Sequence, residues 1–271
     1  MPSDRTDAPA DPRPRVELVS ATVTHRDVGA GDPLVFLHAE TGLGSSGPLL
    51  DALADRRRVL APAHPGWGVS PGSTQLRSVE DLSYVYLDYL DAVTDGPVPV
   101  VGTSLGAWLA VAVAVKSCAR ISALVLVSPV GIKIGGREDR DFVDLFACSP
   151  EEAARALHGP SGGPDLSRLG REALEELAAG QEATARVAWE PYLHDPHLVH
   201  RLHRIAVPTL VVWDRDDRLV RQPASYYDAY CRAIGDNASA VAMHTGAHHI
   251  DEVAPGALAD VIVDFLRGVG V

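Results

Sequence analysis

Residues Val98 to Lys116, VPVVGTSLGAWLAVAVAVK, constrain the fold more than any other stretch of the chain. A short apolar run, Val98–Val101, breaks at Gly102-Thr103-Ser104-Leu105-Gly106 and resumes as an apolar segment from Ala107 to Lys116. The first run has the length of a buried strand and the second that of a buried helix. The glycine-rich pentapeptide between them therefore reads as a sharp strand-to-helix turn. A strand that is apolar on both faces needs cover on both faces, which a parallel sheet flanked by helices supplies.

The remaining chain keeps this rhythm. Pro33–His38, Arg58–Ala61, Ile121–Val127, Val207–Trp213 and Ser239–Met243 are further short apolar runs, and Val16–Asp27 alternates as a half-buried antiparallel pair would. Ser78, with Asp81 three residues on, has the pattern of a capping box, and Leu82, Tyr86, Leu87 and Leu90 follow at helical spacing. Pro223–Ala233 and Pro255–Arg267 read as later helices. The rhythm stops between Gly131 and Ile205, where no strand is evident: a helix starts at Ser149-Pro150-Glu151-Glu152, a glycine-rich loop covers 159–165, and another helix runs through Arg171–Trp189. The expected architecture is α/β, a mostly parallel twisted sheet with helices on both faces and an inserted helical cap. Residues 15–130 and 206–271 form the core, 131–205 the cap over the strand ends, and 1–14 a loose tail.

Composition narrows the partners. A formal charge of −12 argues against nucleic acid or an anionic membrane surface. No apolar run approaches the roughly 20 residues of a membrane span. The first fifteen residues lack the apolar segment of a secretory signal. The three cysteines, Cys118, Cys148 and Cys231, suit a reducing, cytoplasmic setting without a disulfide framework. No cofactor is implied.

The chemistry gathers at the ends of the expected strands. Gly102-Thr103-Ser104-Leu105-Gly106 is a G-x-S-x-G in strand–turn–helix context, the setting of a nucleophile elbow. A serine hydroxyl needs a base, and the base an orienting carboxylate. Asp214-Arg215-Asp216-Asp217 follows the strand ending at Trp213, and Gly246-Ala247-His248-His249 follows the strand ending at Met243. Serine, acid and histidine thus occur in the order elbow enzymes use, with the acid open among three aspartates and the base between two histidines.

At these positions, over about residues 15–270, the chain resembles the α/β-hydrolase family, specifically its lidded members with a serine nucleophile. Phe36-Leu37-His38 is similar to the family's apolar strand ending in His-Gly, Ala61 to Ser70 (APAHPGWGVS) to its A-P-D-x-P-G-x-G-x-S segment, Trp213 to Asp217 to W-G-x-x-D, and Gly246-Ala247-His248 with Pro255 to A-G-H followed by E-x-P. The resemblance implies Ser104 as nucleophile, His248 as general base and acid, and Asp217 as its orienting partner. The backbone N–H groups of Leu105 and Glu40 would form the oxyanion hole. The family's glycines after His38, after Trp213 and before His248 are here Ala39, Asp214 and Ala247, and Ala63 stands where an aspartate is usual.

Candidates for the substrate pocket are His38, Ala39, Glu40, Trp108, Trp189 and Tyr192. No metal site is expected: His194, His197, His200 and His203 recur every third residue, which on an α-helix walks around the face rather than converging. Asp251 and Glu252 read as solvated or salt-bridged. Glu40 is the unusual residue, an acid in the loop that should receive developing negative charge. Its side chain can point away or pair with a cation, stay protonated in an apolar pocket, or face the substrate as a second acid–base group. The leading expectation is a hydrolase acting on a small, mainly apolar ester, thioester, lactone or C–C bond next to a carbonyl. The alternatives are a lyase, cyclase or addition enzyme working by proton transfer, and a ligand-binding protein with a vestigial triad.

Overall fold

A computed structural model describes residues 14–271, so the tail expected at 1–14 lies, except for Pro14, outside the described residues. The elements in chain order are β1 (Arg15–Glu17), β2 (Thr22–Val28), β3 (Pro33–Leu37), α1 (Gly47–Ala54), β4 (Arg58–Pro62), α2 (Val79–Val93), β5 (Val98–Thr103), α3 (Leu105–Ala114) and β6 (Ile121–Val127), then α4 (Pro150–His158), α5 (Arg171–Ala188), β7 (Thr209–Asp214), α6 (Pro223–Ile234), β8 (Ala238–Met243), α7 (Ile250–Val253) and α8 (Pro255–Gly268). The strands form one sheet in the order β1-β2-β4-β3-β5-β6-β7-β8. Only the β1–β2 and β2–β4 pairings are antiparallel; β4, β3, β5, β6, β7 and β8 run parallel. β5 is buried along its whole length.

Each face of the sheet carries its own apolar layer. Leu82, Tyr86, Val111, Tyr226 and Tyr230 from α2, α3 and α6 cover one. Leu49, Leu50 and Leu53 of α1 and Leu258, Ile262 and Leu266 of α8 cover the other. α3 is buried at all ten of its residues, as its unbroken apolar sequence requires. The caps follow the sequence: Ser78 Oγ accepts from the Asp81 N–H, and Ser149 with Glu152 makes a reciprocal capping box at the start of α4. α1 is not evident from periodicity. It is only eight residues long and has no side-chain cap; its one start signal is Pro48 within the first turn.

Between β6 and β7 the chain forms α4, α5 and short 3₁₀ turns at Gly159–Ser161, Leu166–Arg168 and Leu198–Arg204, with isolated bridges but no strand. No helix among the described residues is long and apolar enough to cross a membrane.

The glycines of the pentapeptide are required by close approach rather than by backbone angle. A Cβ on Gly102 would lie 2.5 Å from the Gly106 carbonyl oxygen, and one on Gly106 would lie 2.2 Å from the carbonyl oxygen of Leu37. Both obstacles are backbone and cannot rotate away. Gly106→Ala is therefore expected to destabilise the fold by on the order of 3 kcal/mol or more. An unchanged urea midpoint would show that β3 and α3 are not packed this tightly.

Candidate active site

β5 ends by handing the chain to Ser104, which adopts φ 47° and ψ −111°. Among the described residues only Ser104, Ser128 and Leu193 combine a side chain with positive φ. This strained turn lifts the serine above the parallel strands at the N-terminus of α3, where the helix dipole favours negative charge. The loops after β7 and β8 bring Asp217 and His248 to the same end of the sheet.

The three side chains form a continuous relay. His248 Nε2 lies 3.0 Å from Ser104 Oγ, and His248 Nδ1 lies 2.8 Å from Asp217 Oδ2. Asp217 is held on both oxygens. Oδ1 accepts from the Leu219 N–H at 2.9 Å and the Val220 N–H at 3.3 Å, and Oδ2 also accepts from the Tyr227 hydroxyl at 2.7 Å. Burial alone would push the Asp217 carboxyl up. The His248 ring, the Tyr227 hydroxyl and the Val220 N–H outweigh burial and keep it below its ordinary range. An ionised Asp217 fixes the proton of neutral His248 on Nδ1, leaving Nε2 to accept from Ser104.

Asp214 has a different duty from its neighbour. It is fully buried, and its carboxylate accepts from the N–H of Asp216, the N–H and hydroxyl of Thr245 and the N–H of Gly246. It thus ties the loop after β7 to the loop that carries His248. Ala39, Asp214 and Ala247, which replace family glycines, have no positive φ, while neighbouring Gly246 takes φ 77°. The substitutions cost no backbone strain, and the turns are made elsewhere.

Of the six pocket candidates, Glu40 and Tyr192 wall the large cavity and the other four do not. The largest cavity at this end, about 920 Å³, is walled by Glu40, Leu145, Phe146, Leu157, Tyr192 and Leu193 among others, but not by His38, Ala39, Trp108 or Trp189. Trp108 is buried beside Gly131, whose Cβ position lies 2.4 Å from its ring. Trp189 is half exposed and packs edge-on to Phe146 and Tyr192. His38 and Ala39 lie wholly inside the core. Ser104 and His248 are themselves buried and do not line the cavity; Glu40 does.

His38 is part of a neutral polar stack. Its Nδ1–H donates to the Ala39 carbonyl at 2.6 Å, and its Nε2 accepts from the His64 N–H at 2.9 Å. The His64 ring lies 3.7 Å away, donating from Nε2 to the His38 carbonyl and accepting from the Tyr86 hydroxyl at Nδ1. Burial drives the His38 pKa down to about 4, against the pull of the Ala39 carbonyl and Glu40, and drives His64 well down too. Below pH 6.5 the unfolded chain takes up protons that the folded chain refuses, so stability falls as pH falls. His38 alone is expected to remove about 2 kcal/mol between pH 7 and pH 5. His249 (below) has a raised folded pKa, so its contribution still grows as pH falls from 7 and levels off below about pH 6.5; it offsets part of this loss, by less than His38 and His64 together remove. Equal urea midpoints at pH 7 and pH 5 would contradict the neutral stack.

Glu40 is paired with a cation and faces inward, combining two orientations that the sequence left open. Its Oε1 lies 3.0 Å from His249 Nε2, and His249 Nδ1 lies 3.0 Å from Glu252 Oε1. Glu252 Oε2 takes His158 Nδ1 at 3.0 Å, and Oε1 also accepts from the Thr41 hydroxyl at 3.1 Å. Burial opposes a charge on His249, but the Glu40 charge and hydrogen bonds to both carboxylates raise its pKa well above the usual value. Burial likewise opposes a charge on Glu40, yet the charge and the hydrogen bond of His249 hold the carboxyl well below the ordinary range. Asp251 is buried, not solvated, and accepts from Ser46 Oγ at 2.9 Å. Glu252, read from sequence as solvated or salt-bridged, is salt-bridged to His158 and His249; Asp214 and His249 were open only as alternatives for the acid and the base, and His158 and Tyr227 carry no signal in sequence.

Two groups of side chains among the described residues converge closely enough to hold a metal ion, Glu40 with His248 and His249, and His158 with His249 and Glu252. In both, His249 already donates to a carboxylate from each ring nitrogen, and metal binding would require one of those nitrogens deprotonated.

Comparison with known proteins agrees with the geometry. Residues 34–261 match the alpha/beta hydrolase family. A 2-hydroxy-6-oxononadienedioate/2-hydroxy-6-oxononatrienedioate hydrolase of Paraburkholderia phymatum is 31% identical over 73% of this chain and 75% of its own length. A 2-hydroxy-6-oxo-2,4-heptadienoate hydrolase of Pseudomonas putida is 32% identical over 72% of this chain and 75% of its own. Among solved structures, a meta-cleavage product hydrolase from Pseudomonas fluorescens superposes with TM-score 0.74 at 19% identity, covering 92% of this chain and 96% of that one. An esterase from Thermogutta terrifontis superposes with TM-score 0.70 at 21% identity, covering 95% of this chain and 100% of that one. On the extent of the family match and of these relatives, the chain belongs to the alpha/beta hydrolase family.

Proposed function

We propose that this protein is a serine hydrolase that cleaves an ester, thioester, lactone or C–C bond next to a carbonyl in a small, mainly apolar molecule. The observation that carries the reading is the Ser104–His248–Asp217 relay on a strained elbow, with Glu40 of the expected oxyanion loop lining a cavity of about 920 Å³ whose wall includes Leu145, Phe146, Leu157 and Leu193. Ser104 Oγ attacks the carbonyl carbon as His248 Nε2 takes its proton. The carbonyl oxygen becomes an oxyanion beside the N–H groups of Leu105 and Glu40. His248 then returns the proton to the departing oxygen, sulfur or carbon, and water attacks the acyl-enzyme by the same route. The activities named for the relatives support the C–C branch, in which a second carbonyl must stabilise the departing carbanion.

An ionised carboxylate about 5 Å from the oxyanion would cost about 3 kcal/mol at an effective dielectric of about 20, as much as one oxyanion donor contributes. The His249 imidazolium on the same carboxylate offsets that field, so Glu40 can be both acidic and part of the hole. Residues 131–205 act as the cap and residues 15–130 and 206–271 as the catalytic core, with a cytoplasmic setting suited to three free cysteines.

The second reading, non-hydrolytic proton-transfer chemistry, draws on the Glu40 carboxylate lying within 4.8 Å of a His248 ring nitrogen. Turnover of a para-nitrophenyl ester and 1,5-diketone panel in ¹⁸O-water separates the two. The hydrolase is expected to place one heavy oxygen in each product acid. Substrate consumed without heavy oxygen in any product would overturn hydrolysis in favour of the second reading.

A further inference from the structure

Of the buried polar atoms around the site that lack a partner, which include Glu40 Oε2, Thr103 Oγ1 and Asp251 Oδ1, only the one on Glu40 belongs to a residue that lines the large cavity. Glu40 Oε1 is bound by His249, Glu252 Oε1 by His249 and Thr41, and Glu252 Oε2 by His158. Glu40 Oε2 is buried and accepts no hydrogen bond. Buried carboxylate oxygens are rarely left so, because an unmade bond to a charged acceptor is costly. Glu40 is 9% exposed, and that remnant belongs to the wall of the large cavity.

The residue is also held firmly. Its carbonyl accepts from Trp67 Nε1 at 3.0 Å, and His249 grips the carboxylate from the other side. The unbound oxygen is therefore aimed rather than mobile. The carboxylate lies within 4.8 Å of a ring nitrogen of His248, which is 3.0 Å from Ser104 Oγ. A donor bound to this carboxylate therefore sits close to the triad, within reach of a group carried near the carbonyl under attack.

We propose that Glu40 Oε2 recognises a hydrogen-bond donor, a hydroxyl or an ammonium, carried by the substrate on the carbon next to the carbonyl that Ser104 attacks. This rests on the hydrolase reading and specifies its substrate class. A donor there completes the coordination of the carboxylate. An acceptor or a carboxylate at the same place faces a fixed negative oxygen.

Glu40→Gln tests this directly, because it removes the carboxylate charge with little change of shape and leaves the backbone N–H in place. The probes are the para-nitrophenyl esters of lactate (hydroxyl), alanine (ammonium), propionate (neither) and α-methoxypropionate (acceptor only).

The wild type is expected to favour lactate or alaninate over propionate by about 10-fold or more in kcat/KM, and to disfavour the methoxy ester. Preference for alaninate alone identifies a cationic substrate, and for both a neutral or cationic donor. In Glu40→Gln the lactate-to-methoxy ratio, which is internal to the variant, is expected to fall by about 10-fold or more. Ser104-dependent turnover with no preference among the esters, or a preference unchanged in Glu40→Gln, would overturn recognition by Glu40 and leave the hydrolase reading standing.

If Glu40→Gln does not fold, or if no ester is turned over, affinities of Ser104→Ala for the lactate and propionate esters decide the matter. Tighter binding of lactate supports the proposal and equal affinity overturns it. Absence of turnover together with absence of fluorophosphonate labelling counts against the hydrolase reading separately.

Discussion

Ser104→Ala is expected to lower kcat by at least about 10⁴-fold on any ester the wild type turns over, with KM changed little. The hydroxyl is the only atom removed, and His248 Nε2, 3.0 Å away, loses the proton it is placed to take. Ser104 is buried and held in a positive-φ turn, so alanine keeps the backbone problem unchanged and adds no bulk. Residual activity within about 10-fold of wild type would assign the reaction to another group.

Asp217→Asn is expected to cost about 10⁴-fold in kcat while leaving the fold intact. The reason lies in how Asp217 is held. The N–H groups of Leu219 and Val220 donate to Oδ1, so the asparagine carbonyl must take that place. Its NH₂ then faces His248 Nδ1 and the Tyr227 hydroxyl, where a carboxylate oxygen stood. His248 is driven to the tautomer with its proton on Nε2, which can no longer accept from Ser104. Kinetics with an unchanged unfolding midpoint check this. A loss below about 10-fold would mean that tautomer control rests elsewhere.

The sequence is most legible where chemistry and secondary structure coincide. Ser104, Asp217 and His248 each follow a buried strand, and the order of these strand ends along the chain is enough to bring the residues together, because parallel strands all present their C-terminal ends to one edge. Resemblance to the family then selected Asp217 over Asp214 and His248 over His249; Asp217 is the aspartate that His248 contacts, while Asp214 binds Gly246 and His249 binds Glu40. The role of Gly106 was harder to see. It reads as a turn residue, but what excludes a side chain is the backbone of Leu37 and His38, on another strand.

The pocket was least legible, for a physical reason. Whether Trp108 or Trp189 faces a cavity depends on how α4 and α5 settle against the strand ends, and local periodicity says only that a residue is apolar on one side. His38 was misplaced by its position at a strand end near the site; the ring turns inward and satisfies itself on Ala39 and His64. The Glu40–His249 pair joins residues 209 apart in the chain, and no local pattern encodes it. Only the oddness of an acid in that loop marked the place. α1 was missed because eight residues supply too few apolar positions to show a period.

The central claim is that Ser104 is a nucleophile activated by His248. Intact-protein mass spectrometry after treatment with a fluorophosphonate tests it most directly, since the probe reports attack by an activated serine without requiring the natural substrate. A single covalent adduct on the wild type and none on Ser104→Ala is the expected result. Wild-type protein that takes up no probe, or a Ser104→Ala variant labelled to the same extent, would contradict it.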